Sequence, residues 1–427
     1  MILVCKMGYQ TKQIGTIEMI QWTRREWIGN CMAMALLPGS SAPLLLRSSW
    51  QTVNIGDVAH TPGMLALLEK HLPQQEVWLW PSKVDNGVDK MLLARFPKLR
   101  ILNGEKDQKE ALEKCSFLLH GSGPSIVGMK TINLWRKETG KPYGILGVTL
   151  PNIEPDAITV MNGAKFLYCR DSVSLQLAKS KGVKCPVMDF APDGAFATDL
   201  ADEVKAAAFL KANLLEEGKF VCCIPRLRYT PYWKIHGKKM TAEDDRKHAV
   251  SESKKEQDHK PLRDAIVRII RETDRKVLLC PEDASQMEVG RELLYEPLDE
   301  STRKRVVLRK EFWRPDEALS VYRKSLGLFG NEMHSPIMCI GNGVPAIVCR
   351  WSEQTSKGYM WRDIGLGDWL FDMDQESDRK RVADTVVEMV KNRDKTIQMV
   401  AQARQKVAQA QERAMASLSN ALVPQMK

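Results

Sequence analysis

Glu332 and His334 stand two positions apart between apolar stretches, offering a carboxylate and an imidazole at one point of the chain. Such a pair can move protons, and the imidazole can orient an anion near neutral pH. The neighbouring residues read as strand, turn, short helix and second strand. Leu326–Phe329 is an apolar strand end, Gly330-Asn331 a turn, Ile337–Ile340 a short helix and Pro345–Cys349 a continuous apolar strand. Asn331 and Ser335 are both of a type that caps such a helix. A strand-to-helix junction of this kind lies on the carboxyl edge of a parallel sheet, where α/β proteins bind ligands. The alternative is a His334 that only satisfies a backbone carbonyl in a packed loop. Two cations, Arg226 and Arg228, leave the apolar run Phe220–Ile224. Guanidinium forks at that place suit a carboxylate or a phosphate, against the alternative of surface ion pairs.

Other turns offer weaker chemistry. Asn54-Ile55-Gly56-Asp57 sits where a first strand gives way to a helix. Gly56 lets backbone approach a ligand, while Asn54 and Asp57 bond to it or cap the helix. Gly121-Ser122-Gly123 also follows an apolar strand, but Ile126 holds the place of the third glycine in a dinucleotide fingerprint, so no NAD site is expected. Arg170 stands at a strand end, facing the cleft or pairing locally. Tyr229 and Trp233 either stack on sugar rings or anchor the segment that carries them.

The elements that must position these residues alternate strand and helix from Ala42 onward, which predicts parallel sheets with helices on both faces. A chain of 427 residues is too long for one ordinary core. The expected architecture is α/β, two Rossmann-like domains facing a cleft, with a long C-terminal helix. The expected divisions are a leader at 1–42, a first domain at 43–198, a second at 199–377 and a terminal helix at 378–427. In the first domain the strands are expected at Leu44–Arg47, Val77–Trp80, Leu99–Leu102, Phe117–His120, Tyr143–Val148, Phe166–Cys169 and Val187–Asp189, with the first helix at Pro62–His71. In the second, Pro261–Thr273 reads as a helix, and residues 229–260 read as a mobile loop over the cleft, being poor in aliphatics. The terminal helix either crosses back to brace the first domain or forms a coiled-coil arm for a homodimer.

Composition narrows the class. Hydrophobic content of 44% with 27% charged residues is that of a soluble globular protein. The net charge of +10 is spread along the chain without a basic stripe carrying aromatics, so no nucleic-acid partner is expected. Ten cysteines form no C-x-x-C pair, which predicts free thiols and no metal site. Thr23-Arg24-Arg25 before the apolar run Cys31–Leu37 has the form of a twin-arginine signal, predicting export to the periplasm; the alternative is a leader on a cytoplasmic protein. That run is too short to be a transmembrane segment.

Together the motifs resemble the polysaccharide pyruvyl transferase family. The resemblance rests on Asn54-Ile55-Gly56-Asp57, Gly121–Gly123, Lys141-Pro142-Tyr143-Gly144, Arg170-Asp171-Ser172-Val173-Ser174, Asp193-Gly194-Ala195-Phe196 and the segment from His334 to Gly343-Val344-Pro345. It implies a glycosyltransferase-like (GT-B-like) pair of Rossmann domains. It also implies transfer of a pyruvyl group from phosphoenolpyruvate, as donor substrate and without a cofactor, to a hydroxyl of a glycan acceptor. By resemblance His334 matches a donor-binding histidine, and Arg226 or Arg228 a donor-binding arginine. The family pattern Arg-x-His reads Glu332-Met333-His334 here, placing a carboxylate beside an acidic donor. Glu332 is therefore expected to be protonated, or paired with Arg226, Arg228 or Lys357, or to mark a different donor. His334 and Glu332 are the expected acid and base. The alternatives are a nucleotide-sugar glycosyltransferase of the same fold and a non-catalytic glycan-binding member.

Overall fold

Runs such as Leu44-Leu45-Leu46 and Phe220-Val221-Cys222-Cys223-Ile224 are apolar at successive positions, as strands covered on both faces must be. Each occupies the middle of a parallel sheet. The computed structural model describes residues 42–423. The first sheet comprises β1 (Leu44–Ser48), β2 (Val77–Pro81), β3 (Arg100–Ile101), β4 (Phe117–His120), β5 (Tyr143–Val148), β6 (Leu167–Cys169) and β7 (Met188–Phe190). Their order is β3-β2-β1-β4-β5-β6-β7. The second sheet comprises β8 (Phe220–Ile224), β9 (Lys276–Leu279), β10 (Val306–Leu308), β11 (Leu328–Gly330), β12 (Ala346–Arg350) and β13 (Leu370–Asp372). Its order is β10-β9-β8-β11-β12-β13. In both sheets the chain winds outward, returns across its first strand and winds the other way. The reversal falls between β1 and β4 and between β8 and β11, leaving a crevice at the carboxyl ends of those strands.

The first helix runs Ile55–His71, seven residues earlier than the sequence pattern placed it. Asn54 explains the early start. Its side chain accepts from the N–H of Gly56 at 2.8 Å and of Asp57 at 3.3 Å, capping two otherwise orphaned donors. Pro62 then rides inside the helix instead of opening it.

The expected mobile loop at 229–260 is corrected by the structure. A short helix at Tyr232–Ile235 is followed by a 31-residue helix, Ala242–Glu272. Thr241 and Asp244 form a reciprocal capping box at its start. Exposed pairs such as Glu243–Arg246 and Lys260–Asp264 line its solvated face. Residues 242–260 carry too little apolar periodicity to be legible as a helix, whereas the part from Pro261 reads as one.

The chain ends in two helices, Glu376–Lys391 and Arg393–Leu422. Val400, Ala403 and Val407 of the last helix join the core under the second sheet, and Ala414, Met415 and Leu418 join the core under the first. The Tyr168 hydroxyl meets Ser417 Oγ at 2.8 Å, fixing the far end. The helix braces one half of the molecule against the other. Among the described residues eight cysteines, all buried, are free thiols. Among the described residues no helix is long and apolar enough to cross a membrane. The residues of the expected twin-arginine signal lie outside the described ones.

The two halves share a core. Ile55, Ala59 and Phe196 belong to the same apolar cluster as Phe329, Met333 and Met338. Gly341 approaches the Phe196 carbonyl so closely that a Cβ there would overlap it, so the join tolerates only glycine at that point.

Candidate functional site

The two crevices face each other, and backbone ties them together. The Ile55 N–H donates to the Glu282 carbonyl at 3.0 Å, and Asn54 forms an antiparallel bridge with Asp283. The second half supplies Arg226 from the end of β8, Glu282 and Asp283 from the end of β9, and Asn331, Glu332 and His334 from the end of β11. Lys357 comes from the segment after β12.

Glu332 is only 2% exposed. One of its oxygens lies 3.2 Å from Arg226 Nη1, and the other accepts from Gln286 Nε2 at 2.6 Å. Burial pushes its carboxyl up to about 7, Arg226 opposes that rise, and Glu282 adds to it. Asp283 is raised as well, by burial and by Glu332. Burial together with Arg226 and Arg170 brings the Lys357 ammonium down to about 8. The site therefore holds one carboxyl and one amine, Glu332 and Lys357, that change charge near neutral pH.

Glu282 has a different task. One oxygen accepts from the Ser335 N–H at 2.8 Å, so a carboxylate from β9 caps the helix His334–Gly341, a role expected of Asn331 or Ser335. Its other oxygen lies 3.3 Å from His334 Nδ1. Burial, with Lys357 and His60 nearby, pulls the His334 imidazole well below its ordinary range, so it is neutral.

The first half meets this cluster with Gly56, whose hydrogen faces the His334 ring. Any Cβ there would overlap the imidazole. One turn further along the same helix, the His60 ring packs edge to face against His334 with centroids 4.9 Å apart. His60 Nδ1 is 2.9 Å from Asp193 Oδ1 and 2.8 Å from Ser122 Oγ. Arg170 pairs with the other Asp193 oxygen and donates through Nε to Thr149 Oγ1 at 2.7 Å. Burial would raise the Asp193 carboxyl, but His60 and Arg170 beside it hold it well below the carboxylate range.

Ligand atoms of His60, Asp193 and His334 lie within 4.8 Å of one another, close enough to surround a cation. Both Asp193 oxygens are already engaged, Oδ1 by His60, Ser122 and the Ala195 N–H and Oδ2 by Arg170. The Arg170 guanidinium so close by also opposes a metal charge. The cluster is a hydrogen-bonded relay in form.

The structure thus brings together Glu332, His334, Arg226, Lys357, Gly56, Ser122 and Arg170. Asn54 is used as a cap, and Asp57 accepts from Gln51. Gly121 and Gly123 serve the β4 turn through N–H donation to Arg47 and Gly147 carbonyls. Arg228 stands apart, held by Asp258 at 2.8 Å, Glu353 at 3.0 Å and Asp374 at 2.7 Å, a buried ion cluster with no donor turned to Glu332. Tyr229 packs by Lys247, and Trp233 meets His248 edge to face. Both side chains anchor the start of the long helix, while Tyr232 reaches across to Gln51 at 3.2 Å.

Sequence reasoning missed Glu282, Asp283, Gln286 and His60, and gave Asp193 no role. Glu282 and Asp283 directly follow a strand and Pro281, so the carboxyl-edge rule applied to every strand would have found them. His60 sits inside a helix whose start was misplaced, and no local signal marks it.

The family model described as polysaccharide pyruvyl transferase matches residues 54–353 of the chain. No curated protein matches it significantly. Among solved structures, S. aureus MnaA with UDP is similar at TM-score 0.55 and 13% identity, covering 87% of this chain and 94% of that one. The Neisseria meningitidis UDP-GlcNAc 2-epimerase bound to UDP-GlcNAc is similar at TM-score 0.54 and 9% identity, covering 88% and 99%. Phytolacca americana UGT2, complexed with UDP-2fluoro-glucose and pterostilbene, is similar at TM-score 0.53 and 11% identity, covering 90% and 100%. At such identities the likeness is one of fold, the GT-B pair of Rossmann-like domains.

Proposed function

The chain belongs to the polysaccharide pyruvyl transferase family, and from that premise we propose that it moves the pyruvyl group of phosphoenolpyruvate to hydroxyls of a glycan. Arg226 and Lys357 are the cations for the donor's carboxylate and phosphate, and Arg170, whose Nη2 has no partner among the described residues and whose charge acts on Lys357, is a further donor. His334, neutral and fixed by Glu282, hydrogen-bonds the donor without adding charge.

One observation carries the reading. Glu332, a carboxyl raised to about 7, touches the guanidinium assigned to the donor. Adding a hydroxyl across the double bond of an enol phosphate requires a proton at the methylene carbon, and an acid with this pKa holds one while still able to release it near neutral pH. The residue that departs from the family pattern therefore fits the chemistry. Protonated, it does not repel an acidic donor.

The UDP compounds bound to proteins of the same fold motivate a second reading, in which the donor is a nucleotide sugar. Thermal melts separate the two. Phosphoenolpyruvate should raise the melting temperature, and Arg226→Ala or His334→Ala should abolish that rise. A protein indifferent to phosphoenolpyruvate but stabilised by one of a panel of uridine and cytidine diphosphate sugars would replace the first reading with the second.

A further inference from the structure

Pyruvyl transfer also needs a base for the incoming glycan hydroxyl, and His334 fills that role poorly. Burial, and then the Lys357 ammonium beside it, make a positive charge on that ring unfavourable. The Ile55–His71 helix of the other half carries a better candidate. Asp193, with Arg170 on its far oxygen, is a carboxylate and so only accepts hydrogen bonds. Ser122 Oγ accepts from the Gly194 N–H at 3.2 Å and donates to Asp193 Oδ1 at 3.1 Å. His60 Nδ1 must therefore carry the proton in the bond to Asp193, so a ring that carries a single proton has its lone pair on Nε2. That nitrogen is buried and has no partner among the described residues. A bare polar atom at such depth marks a place for a ligand. The His60 ring lies against His334, at the junction where donor and acceptor must meet.

We propose that His60 is the acceptor-side base, taking the glycan hydroxyl proton on Nε2, with Asp193, Arg170 and Ser122 as positioning residues. The inference rests on the pyruvyl-transfer reading. In the step, the hydroxyl oxygen bonds to C2 of the donor while its proton passes to His60. The C2=C3 electron pair takes a proton from Glu332, leaving a methyl group and a tetrahedral C2. The C2–O bond to phosphate then breaks with its electron pair, and His60 gives its proton to the departing phosphate. A neighbouring hydroxyl adds to C2, closing the ketal, and its proton restores Glu332. Atoms and charges balance with no further reactant.

The test uses the full chain labelled with 15N-histidine, the His60 signals being assigned by their loss in His60→Gln or His60→Asn. The expected result is a neutral His60 protonated at Nδ1 in the wild-type chain. His60→Gln should keep the thermal shift given by phosphoenolpyruvate, yet lose about 10²–10⁴-fold in kcat for phosphate release with 4-nitrophenyl hexosides as acceptors. Asp193→Asn should shift the His60 proton to Nε2 and lose turnover with it. The proposal is overturned by an Nε2-protonated His60 in the wild-type chain, or by His60→Gln turning over within tenfold of wild type. A divalent metal that copurifies in stoichiometric amount and holds Nε2 would also overturn it. A wild-type chain blind to phosphoenolpyruvate defeats the pyruvyl-transfer reading instead, and the tautomer measurement still judges the His60 geometry.

Discussion

Replacing Glu332 by Gln keeps the volume of the side chain and removes its charge. The consequences for stability and for binding can be worked separately. In the folded chain the Glu332 carboxyl titrates at about 7, against an ordinary 4.5. Between those values the unfolded chain has released its proton while the folded chain still holds it. Stability therefore falls as pH rises through this window, by about 3 kcal/mol in all. The amide in Glu332→Gln does not titrate, so the variant escapes this loss. Its melting temperature, measured against wild type, should gain roughly 3–6 °C between pH 5 and pH 8.

Donor binding should respond in the same direction. A donor anion seated on the far side of the Arg226 guanidinium would sit about 6 Å from an ionised Glu332, for a repulsion of about 1–3 kcal/mol between water-like and protein-like dielectric. Calorimetric titration with phosphoenolpyruvate at pH 8 should then show Glu332→Gln binding about 5- to 150-fold tighter than wild type, converging with it at pH 6. Comparing the two proteins cancels the ionisation of the donor's own phosphate. Turnover should fall despite tighter binding, because the amide cannot supply a proton to carbon. A variant that binds the donor more weakly at pH 8, or a wild-type affinity parallel to that of the variant across this pH range, would refute the reasoning.

Three other substitutions probe the frame around the site. Arg228→Ala strands the buried Asp258 carboxylate and should cost about 3–5 kcal/mol, read as a lower denaturation midpoint, while phosphoenolpyruvate still raises the melting temperature. Gly56→Ala forces a methyl group into the His334 ring and should cost about 1–3 kcal/mol, with the donor-induced thermal shift lost as the ring is displaced. Leu418→Ala empties a fully buried position where the last helix meets the first half, and should cost about 2–5 kcal/mol in denaturant melts without altering donor affinity.

What was legible in the sequence was what short-range pattern controls. Phe117–His120, Tyr143–Val148 and Phe220–Ile224 are dominated by apolar residues and have the same bounds in sequence and structure, since a strand buried on both faces needs no tertiary information to declare itself. Turns at strand ends led to Gly56, Ser122, Arg226 and His334 because the carboxyl-edge rule is local to each strand. Of the long helix Ala242–Glu272 only the part from Pro261 was legible, through its buried face at Leu262, Ile266 and Ile269; residues 242–260 were not, because caps and ion pairs sustain them. His60 and Asp193 lie 133 positions apart, and their partnership exists only after the Ile55–His71 helix has packed against the segment Gly194–Ala197. No spacing along the chain encodes such a pair. Arg226 and Arg228 illustrate the remaining ambiguity: identical residues two positions apart, in the irregular chain after β8, take different partners, one Glu332 and one Asp258.

The closeness of Glu332 and Arg226 links donor entry to the proton that the chemistry consumes. In the empty site near pH 8 Glu332 is mostly ionised and serves as the counter-charge of Arg226. An arriving phosphoenolpyruvate competes for the same guanidinium, and its negative charge raises the affinity of the neighbouring carboxyl for a proton. The acid is thus loaded by the event that makes it necessary. Lys357, poised at about 8, is driven the same way, toward its charged form. Binding at pH 8 should therefore draw protons from solution, measured as the dependence of binding enthalpy on buffer ionisation heat. Glu332→Gln and Lys357→Met should each remove part of that uptake. Equal uptake in wild type and both variants would mean that the donor alone titrates, and that neither side chain feels its charge.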